Sequence, residues 1–231
     1  MINRFIYKQV LKSYNKLFKK KEKNYDRVLR SASYYIMRFD GKDMTSRFKP
    51  KNEFFNKQFI RSIQEAFFSF CNTHKQQILF GYQCNDEISI LIKSIKQDKE
   101  NCYNRTEKLL SLFASEISIR FDRIYQNIET RFEKKEPINI FDARIFDISK
   151  DQIYEYFIMR QAFQIEHMTT RIRHVINKKR ISKDECINAL NSTGFTADTI
   201  YYGCIFMPNI EIAPFDFMEK KDLFKQLLVF E

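Results

Sequence analysis

Two carboxylates, Asp40 and Asp86, are the residues of this chain best placed to hold divalent cations. Each sits where a strand-like run meets a polar turn: Asp40 closes the run 34–39, and Asp86 precedes the run 88–92. Phosphoryl transfer by two metal ions needs carboxylates fixed on neighbouring rigid strands, because the ions lie roughly 3.5 to 4 Å apart and clamp both the attacking and the leaving oxygen. Gly41 leaves the backbone beside Asp40 uncovered, so that a metal or a triphosphate can come close and the Gly41 carbonyl can add a ligand. Glu87 is a supporting carboxylate, expected on the opposite face from Asp86 if the strand has already begun. Asp-Gly and Asn-Asp are also ordinary turn pairs, and that reading stands beside the chemical one.

The elements that must position these residues follow from apolar spacing. Residues 34–39 read as a strand, and Phe54, Phe59, Ile63, Phe67 and Phe70 fall at helical spacing. Residues 78–82 and 88–92 form two strands joined by a tight connection containing Asn85 and Asp86. A helix over 105–128 carries Leu109, Leu112, Phe113, Ile117 and Phe121 on one face. A charged loop over 129–137 leads to strand-like residues 138–148, and 151–176 form a long helix. Ser182-x-x-Glu185 has the form of a capping box opening a shorter helix that ends at Gly194. The order strand, helix, strand, strand, helix, strand is a split β-α-β arrangement. It predicts an α+β, ferredoxin-like antiparallel sheet with helices on one face. In it the strand 88–92 lies between the other two and antiparallel to 34–39, so Asp40 and Asp86 meet.

The net charge of +11 favours a polyanionic partner. Arg4, Lys8, Lys12, Lys16, Lys19, Lys20, Lys21, Lys23, Arg27 and Arg30 face only Glu22 and Asp26 within residues 1–30, so +8 of that charge lies there. Basic residues recur every fourth position alongside an apolar stripe of Ile2, Ile6, Val10, Tyr14 and Phe18, which predicts an amphipathic helix. A docked helix with a solvated basic face, contact with an RNA backbone and membrane-surface binding all remain open for it. No apolar run approaches the roughly 20 residues of a membrane span, and the start has no secretory-signal pattern. Five widely spaced cysteines without a C-x-x-C pair read as reduced, buried thiols. Together these features point to a cytoplasmic protein. The expected organisation is a basic helix over 1–30, a catalytic unit over 31–150, and a helical extension over 151–231 completing the same domain.

Arg38-Phe39-Asp40-Gly41-Lys42 resembles the R-x-D-G-[RK] motif of the tRNA(His) guanylyltransferase-like (Thg1-like) family, the 3′–5′ polymerases. The segment from Phe80 to Ser89 is similar to the family's Y-x-Q-S-D-E-[IY]-S hairpin. The likeness continues through Lys108-x-x-Ser111-x-x-Ala114-Ser115, Phe141-Asp142-Ala143-Arg144 and Tyr156-Phe157-Ile158-Met159-Arg160-Gln161, with Gly194 and Gly203 near late family glycines. The resemblance implies a polymerase-like palm and addition of nucleotides to RNA 5′ ends, with tRNA as the expected partner. It implies two Mg²⁺ ions at Asp40, Gly41 and Asp86, and GTP or ATP as substrates. Lys42, Lys49, Asn85, Lys108, Arg144 and Arg160 are then the expected nucleotide and phosphate contacts, with Gln161 supporting. It also implies a homodimer or homotetramer. Arg144 and Arg160 are the strongest of the basic set, since a planar guanidinium grips phosphate bidentately; a structural salt bridge is the alternative for both.

The chain departs from the family at identifiable points. Asn85 stands for a small Ser, Cys84 for a Gln, Phe163 for an Asp, His167 for an Asn and Ile165 for the eukaryotic His. Met44-Thr45 replaces an aromatic-His pair in a shortened loop. The Ile165 position fits the Thg1-like branch better than the true tRNA(His) enzyme. The altered Cys84-Asn85 and Phe163 positions motivate one rival, a palm enzyme making a short or cyclic oligonucleotide; a non-catalytic RNA-binding or assembly protein is the third reading. His167 and His174 lie two turns apart, too far for paired helical zinc ligands. Arg171, Arg173, Lys178, Lys179 and Arg180 form a second basic patch, readable as an RNA contact or as a solvated helix end.

Overall fold

A computed structural model describes residues 4–23, 34–48, 53–93, 106–128, 139–193, 197–208, 216–222 and 224. Along the chain lie α1 (Arg4–Lys23), β1 (Tyr34–Gly41), α2 (Met44–Arg47), α3 (Lys57–Thr73), β2 (Ile78–Cys84), β3 (Glu87–Lys93) and α4 (Thr106–Ile128). They are followed by β4 (Phe141–Ile148), α5 (Lys150–Val175), α6 (Lys183–Asn191), α7 (Ala197–Tyr202) and β5 (Cys204–Phe206). The five strands form one sheet in the order β4-β1-β3-β2-β5, and every pairing in it is antiparallel. The expected split β-α-β order is therefore present, with β3 beside β1 and β5 added at the edge.

Alternation along β1 sorts its side chains between two cores. Tyr35, Met37 and Phe39 enter a core shared with α3 and α4, the two palm helices, which lie on one face as the topology requires. Tyr34 and Ile36 enter a second core on the other face, with Phe18 of α1, Phe157 of α5, and Phe217 and Phe224 from the end of the chain. The sequence pattern alone did not say that this second face would also be covered. The order of elements does not reveal which face a docked helix takes, whereas Phe18, Phe157, Phe217 and Phe224 are each fully buried there. α5 changes partners halfway: Ile153 to Met159 serve the second core, and Ala162, Ile165, Met168 and Ile172 the first.

Local signals explain the element boundaries. Asn56 caps α3 by accepting from the Phe59 N–H at 3.0 Å, so the helix begins after Phe54 rather than at it. The Ser182–Glu185 capping box is present, with both reciprocal hydrogen bonds made. α6 stops at Asn191, short of Gly194, which lies outside the described residues, as does the charged segment 129–137. β4 starts at Phe141, because the Phe141 N–H is held by Ser118 Oγ at 2.9 Å from α4. α2, α7 and β5 are too short to carry a periodic signal in sequence. Gly203, with φ +85, lets β5 join β2, since a Cβ there would fall 2.6 Å from the Gln83 carbonyl.

Candidate active site

Asp40 and Asp86 come together as expected. Asp40 lies in register with Glu87 of β3 on one side and Asp142 of β4 on the other, and the next residue, Gly41, donates its N–H to the Asp86 carbonyl at 3.0 Å. A Cβ on Gly41 would stand 3.2 Å from the Asp86 Cβ and 2.5 Å from Met44 Sδ, so this approach requires a residue without a side chain. Asn85 makes the turn with φ +49, a conformation Asn tolerates better than most residues, and its carbonyl accepts from Gln83 Nε2 at 2.8 Å.

The register places Glu87. It is already within β3, directly opposite Asp40, and so shares Asp40's face. Asp142, Asp40 and Glu87 thus form a row across three strands. One step further from the turn, Arg144 and Arg38 lie in register with one another, and Arg38 is opposite Ser89. Each arginine reaches a carboxylate: Arg38 to Asp40 at 3.3 Å, Arg144 to Asp142 at 3.3 Å, and Arg160 of α5 to Glu87. Arg160 also lies over the Phe163 ring at 5.2 Å, so the structural-pair alternative for Arg160 and Arg144 is realised in this state of the molecule. Asp142 is a carboxylate of the row that enters the sequence reading only as part of the Phe141–Arg144 motif; its register with Asp40 emerges only once β4 is paired.

Burial pushes the Asp40 carboxyl above its ordinary range, with Asp86 and Asp142 adding to the effect and Arg38 and Arg160 opposing it. A carboxylate so placed gains from a nearby cation. Two oxygen-donor carboxylates suit a hard ion such as Mg²⁺, which takes one or two carboxylates and completes its shell with water and substrate phosphates. No group of three or more His, Cys, Asp or Glu side chains placed to hold one metal ion occurs among the described residues.

Two hollows meet at Asn85, Asp86 and His167. One is a cleft of about 360 Å³ in which Lys19, Arg38, Asp86, Glu87 and Arg160 line the wall together with Phe18, Met159 and Phe163. The other, about 120 Å³, is walled by Phe48, Phe54, Phe55 and Phe59 with Met44. The first suits phosphates and the second a flat ring. His167, set aside at the level of sequence as a metal ligand, stands on the rim of both.

The remaining candidates are dispersed. Lys42 is exposed just beyond Gly41, and Lys49 lies outside the described residues. Lys108 is exposed in the first turn of α4. From there the helix runs to Ser118, which holds the Phe141 N–H beside Gly41, and on to Tyr125, which meets Phe48 at 5.0 Å. Gln161 does not line the cleft: it is fully buried, donating to the Tyr202 carbonyl at 3.1 Å and accepting from the Phe217 N–H at 2.8 Å.

The sequence profile of the tRNAHis guanylyltransferase (Thg1) family matches residues 14–149, more than half of the chain. The chain belongs to the Thg1 family. Among solved structures, a bacterial tRNA(His) guanylyltransferase (Thg1)-like protein in complex with GTP superposes with a TM-score of 0.67 at 18% identity, covering 94% of this chain and 100% of that one. The same kind of bacterial protein in complex with ATP gives 0.64 at 18% identity, with 94% and 100% covered. The Saccharomyces cerevisiae tRNA(His) guanylyltransferase gives 0.59 at 15%, covering 91% and 98%. These likenesses show that the fold extends over more than nine-tenths of the chain. Comparison with curated proteins by sequence gives no match.

Proposed function

We propose that this Thg1-family protein is a metal-dependent nucleotidyltransferase that adds nucleotides to RNA 5′ ends, tRNA foremost, in the 3′–5′ direction. The observation that carries the reading is that Asp86, held beside Asp40 by the Gly41 N–H, stands where an arginine-lined cleft and an aromatic cavity meet. A nucleoside triphosphate has one part for each hollow. Its base stacks among Phe48, Phe54, Phe55 and Phe59, where water is excluded, and its phosphates lie toward Arg38 and Arg160.

Asp40, Asp86 and the Gly41 carbonyl are the groups that would hold Mg²⁺, which when bound supplies Lewis-acid stabilisation of phosphate charge. The chain's own contribution is to orient and neutralise. Arg160 and Arg144 exchange their carboxylate partners for phosphate oxygens, a swap that a planar fork makes without change of charge. The 3′-hydroxyl of the incoming nucleotide then bonds to the activated 5′ phosphorus of the RNA, and the activating group leaves. Replacement of the family's Ser, Gln and Asp by Asn85, Cys84 and Phe163 changes groups that line or border this cleft, so nucleotide choice is the property expected to differ.

Incubation with labelled GTP or ATP and Mg²⁺, with and without a 5′-truncated tRNA, tests the reading. Label at the RNA 5′ end is the expected result. Label in a short or cyclic oligonucleotide formed without RNA would replace it with a different palm activity, and the lack of any incorporation or triphosphate binding would sink it.

A further inference from the structure

Resting on that reading, we infer that α1 is a guide rail for an RNA backbone, delivering the strand to the cleft at Asp86. The helix is anchored by its apolar side: Phe18 is fully buried and meets Tyr156 edge-on at 5.2 Å, Tyr7 donates to Asp216 at 3.1 Å, and Tyr14 donates to Glu155 at 3.3 Å. Its outer side carries Lys8, Lys12, Lys16 and Lys20, all exposed, and none meets a carboxylate among the described residues. At one turn each, these lysines extend for about 18 Å. The row ends at the site: Lys19, with Asn15 and Phe18, forms part of the wall of the cleft that also holds Arg38, Asp86 and Arg160. Lys8 and Lys12 precede residue 14, where the family match begins, and Lys16 and Lys20 lie within it.

A polyanion is the partner whose charge this surface complements, and the direction of the row selects a strand over a membrane. Membrane-surface helices insert an apolar face, whereas the apolar face of α1 is spent on the protein core and its outer side offers Leu17 as the exposed large apolar group. Phosphates bound along the row release counterions, which makes affinity fall steeply with salt.

The test uses the full chain and a variant with Lys8, Lys12, Lys16 and Lys20 all changed to Gln, a residue of similar helix propensity. Binding of a 5′-truncated tRNA transcript is measured across a salt series. Binding of GTP and ATP with Mg²⁺ is followed by thermal shift, and binding to phosphatidylserine–phosphatidylcholine vesicles by sedimentation. The variant should lose more than about tenfold in RNA affinity, and its log–log salt slope should become shallower by about 0.7 to 0.9 for each phosphate it no longer neutralises. Its triphosphate-dependent shift should stay that of the unaltered chain. A variant changed only at Lys12 and Lys16 gives the same comparison if the fourfold change lowers the melting temperature. Equal RNA affinity and slope in both chains, failure of the unaltered chain to bind the transcript, or a loss confined to vesicle binding each overturn the rail. Failure of the proposed function looks different: RNA binding that depends on the lysines, with no triphosphate binding or incorporation.

Discussion

Asp40 is a half-buried carboxylate placed between two others, and its charged form is disfavoured by burial and by Asp86 and Asp142. Changing Asp40 or Asp86 to Asn removes a ligand while relieving repulsion. Each variant should therefore lose nucleotide transfer by more than about a hundredfold, while its melting temperature at neutral pH should not fall below that of the unaltered chain. Transfer at wild-type rates in both variants would take the carboxylates out of the mechanism. Arg160 poses a finer question, because the structure pairs it with Glu87 and also sets it in the cleft wall. Arg160→Lys keeps the charge but loses the fork, so a phosphate contact should cost roughly 1.5 to 3 kcal/mol, lowering kcat/KM about ten- to a hundredfold. Unchanged turnover per folded molecule with a lower melting temperature would leave Arg160 as the partner of Glu87 alone.

At the scale of elements, α3 and α4 are tied through a cluster of polar and aromatic side chains around Glu116. His74 stacks against Phe70 and Phe113 at 4.7 and 4.6 Å and meets Glu116 at 2.8 Å, while Arg120 binds Glu116, Ser69 and Thr73. Burial alone would raise the Glu116 carboxyl, but hydrogen bonds from Arg120 and His74 bring it below its ordinary value of 4.5. A depressed carboxylate stabilises the fold above its unfolded pKa, and that contribution disappears as pH falls through the folded one. Glu116→Gln should thus cost on the order of 1 to 2 kcal/mol at pH 7. The gap between the two melting temperatures should close as pH drops below about 4.5. A gap that stays constant with pH would mean that shape rather than charge makes this tie.

The molecule as a whole holds its sheet between two cores, and the second depends on parts far apart in sequence. Phe157 meets Phe80 at 4.7 Å, Tyr156 at 5.2 Å, Phe224 at 6.1 Å and Phe217 at 6.2 Å. Phe157→Ala should destabilise by about 3 to 5 kcal/mol. The palm strands and the C-terminal elements share this core, so calorimetry should show a single cooperative transition for the wild-type chain, shifted down but still single in the variant. Two separate transitions would show instead that residues after 150 melt as their own unit.

The sequence by itself determined the palm order of strands and helices, the capping box at Ser182, the juxtaposition of Asp40 and Asp86, and the basic face of α1. Each is local: apolar period, turn chemistry and charge spacing act over a few residues, and the split β-α-β topology then leaves β3 only one place beside β1. Tertiary structure alone decided which carboxylates share a face. Glu87 and Asp142 flank Asp40 because strand register sets the pairing, and register depends on both strands at once. It also decided that Arg160 holds Glu87 and that Gln161 supports Tyr202 and Phe217 in the interior. A helix's length and the face on which it docks, rather than its motif, fix where such residues lie. The aromatic cavity belongs to the same class, since Phe48 and Phe59 look like any core phenylalanines until α2 and α3 bring them round Asp86.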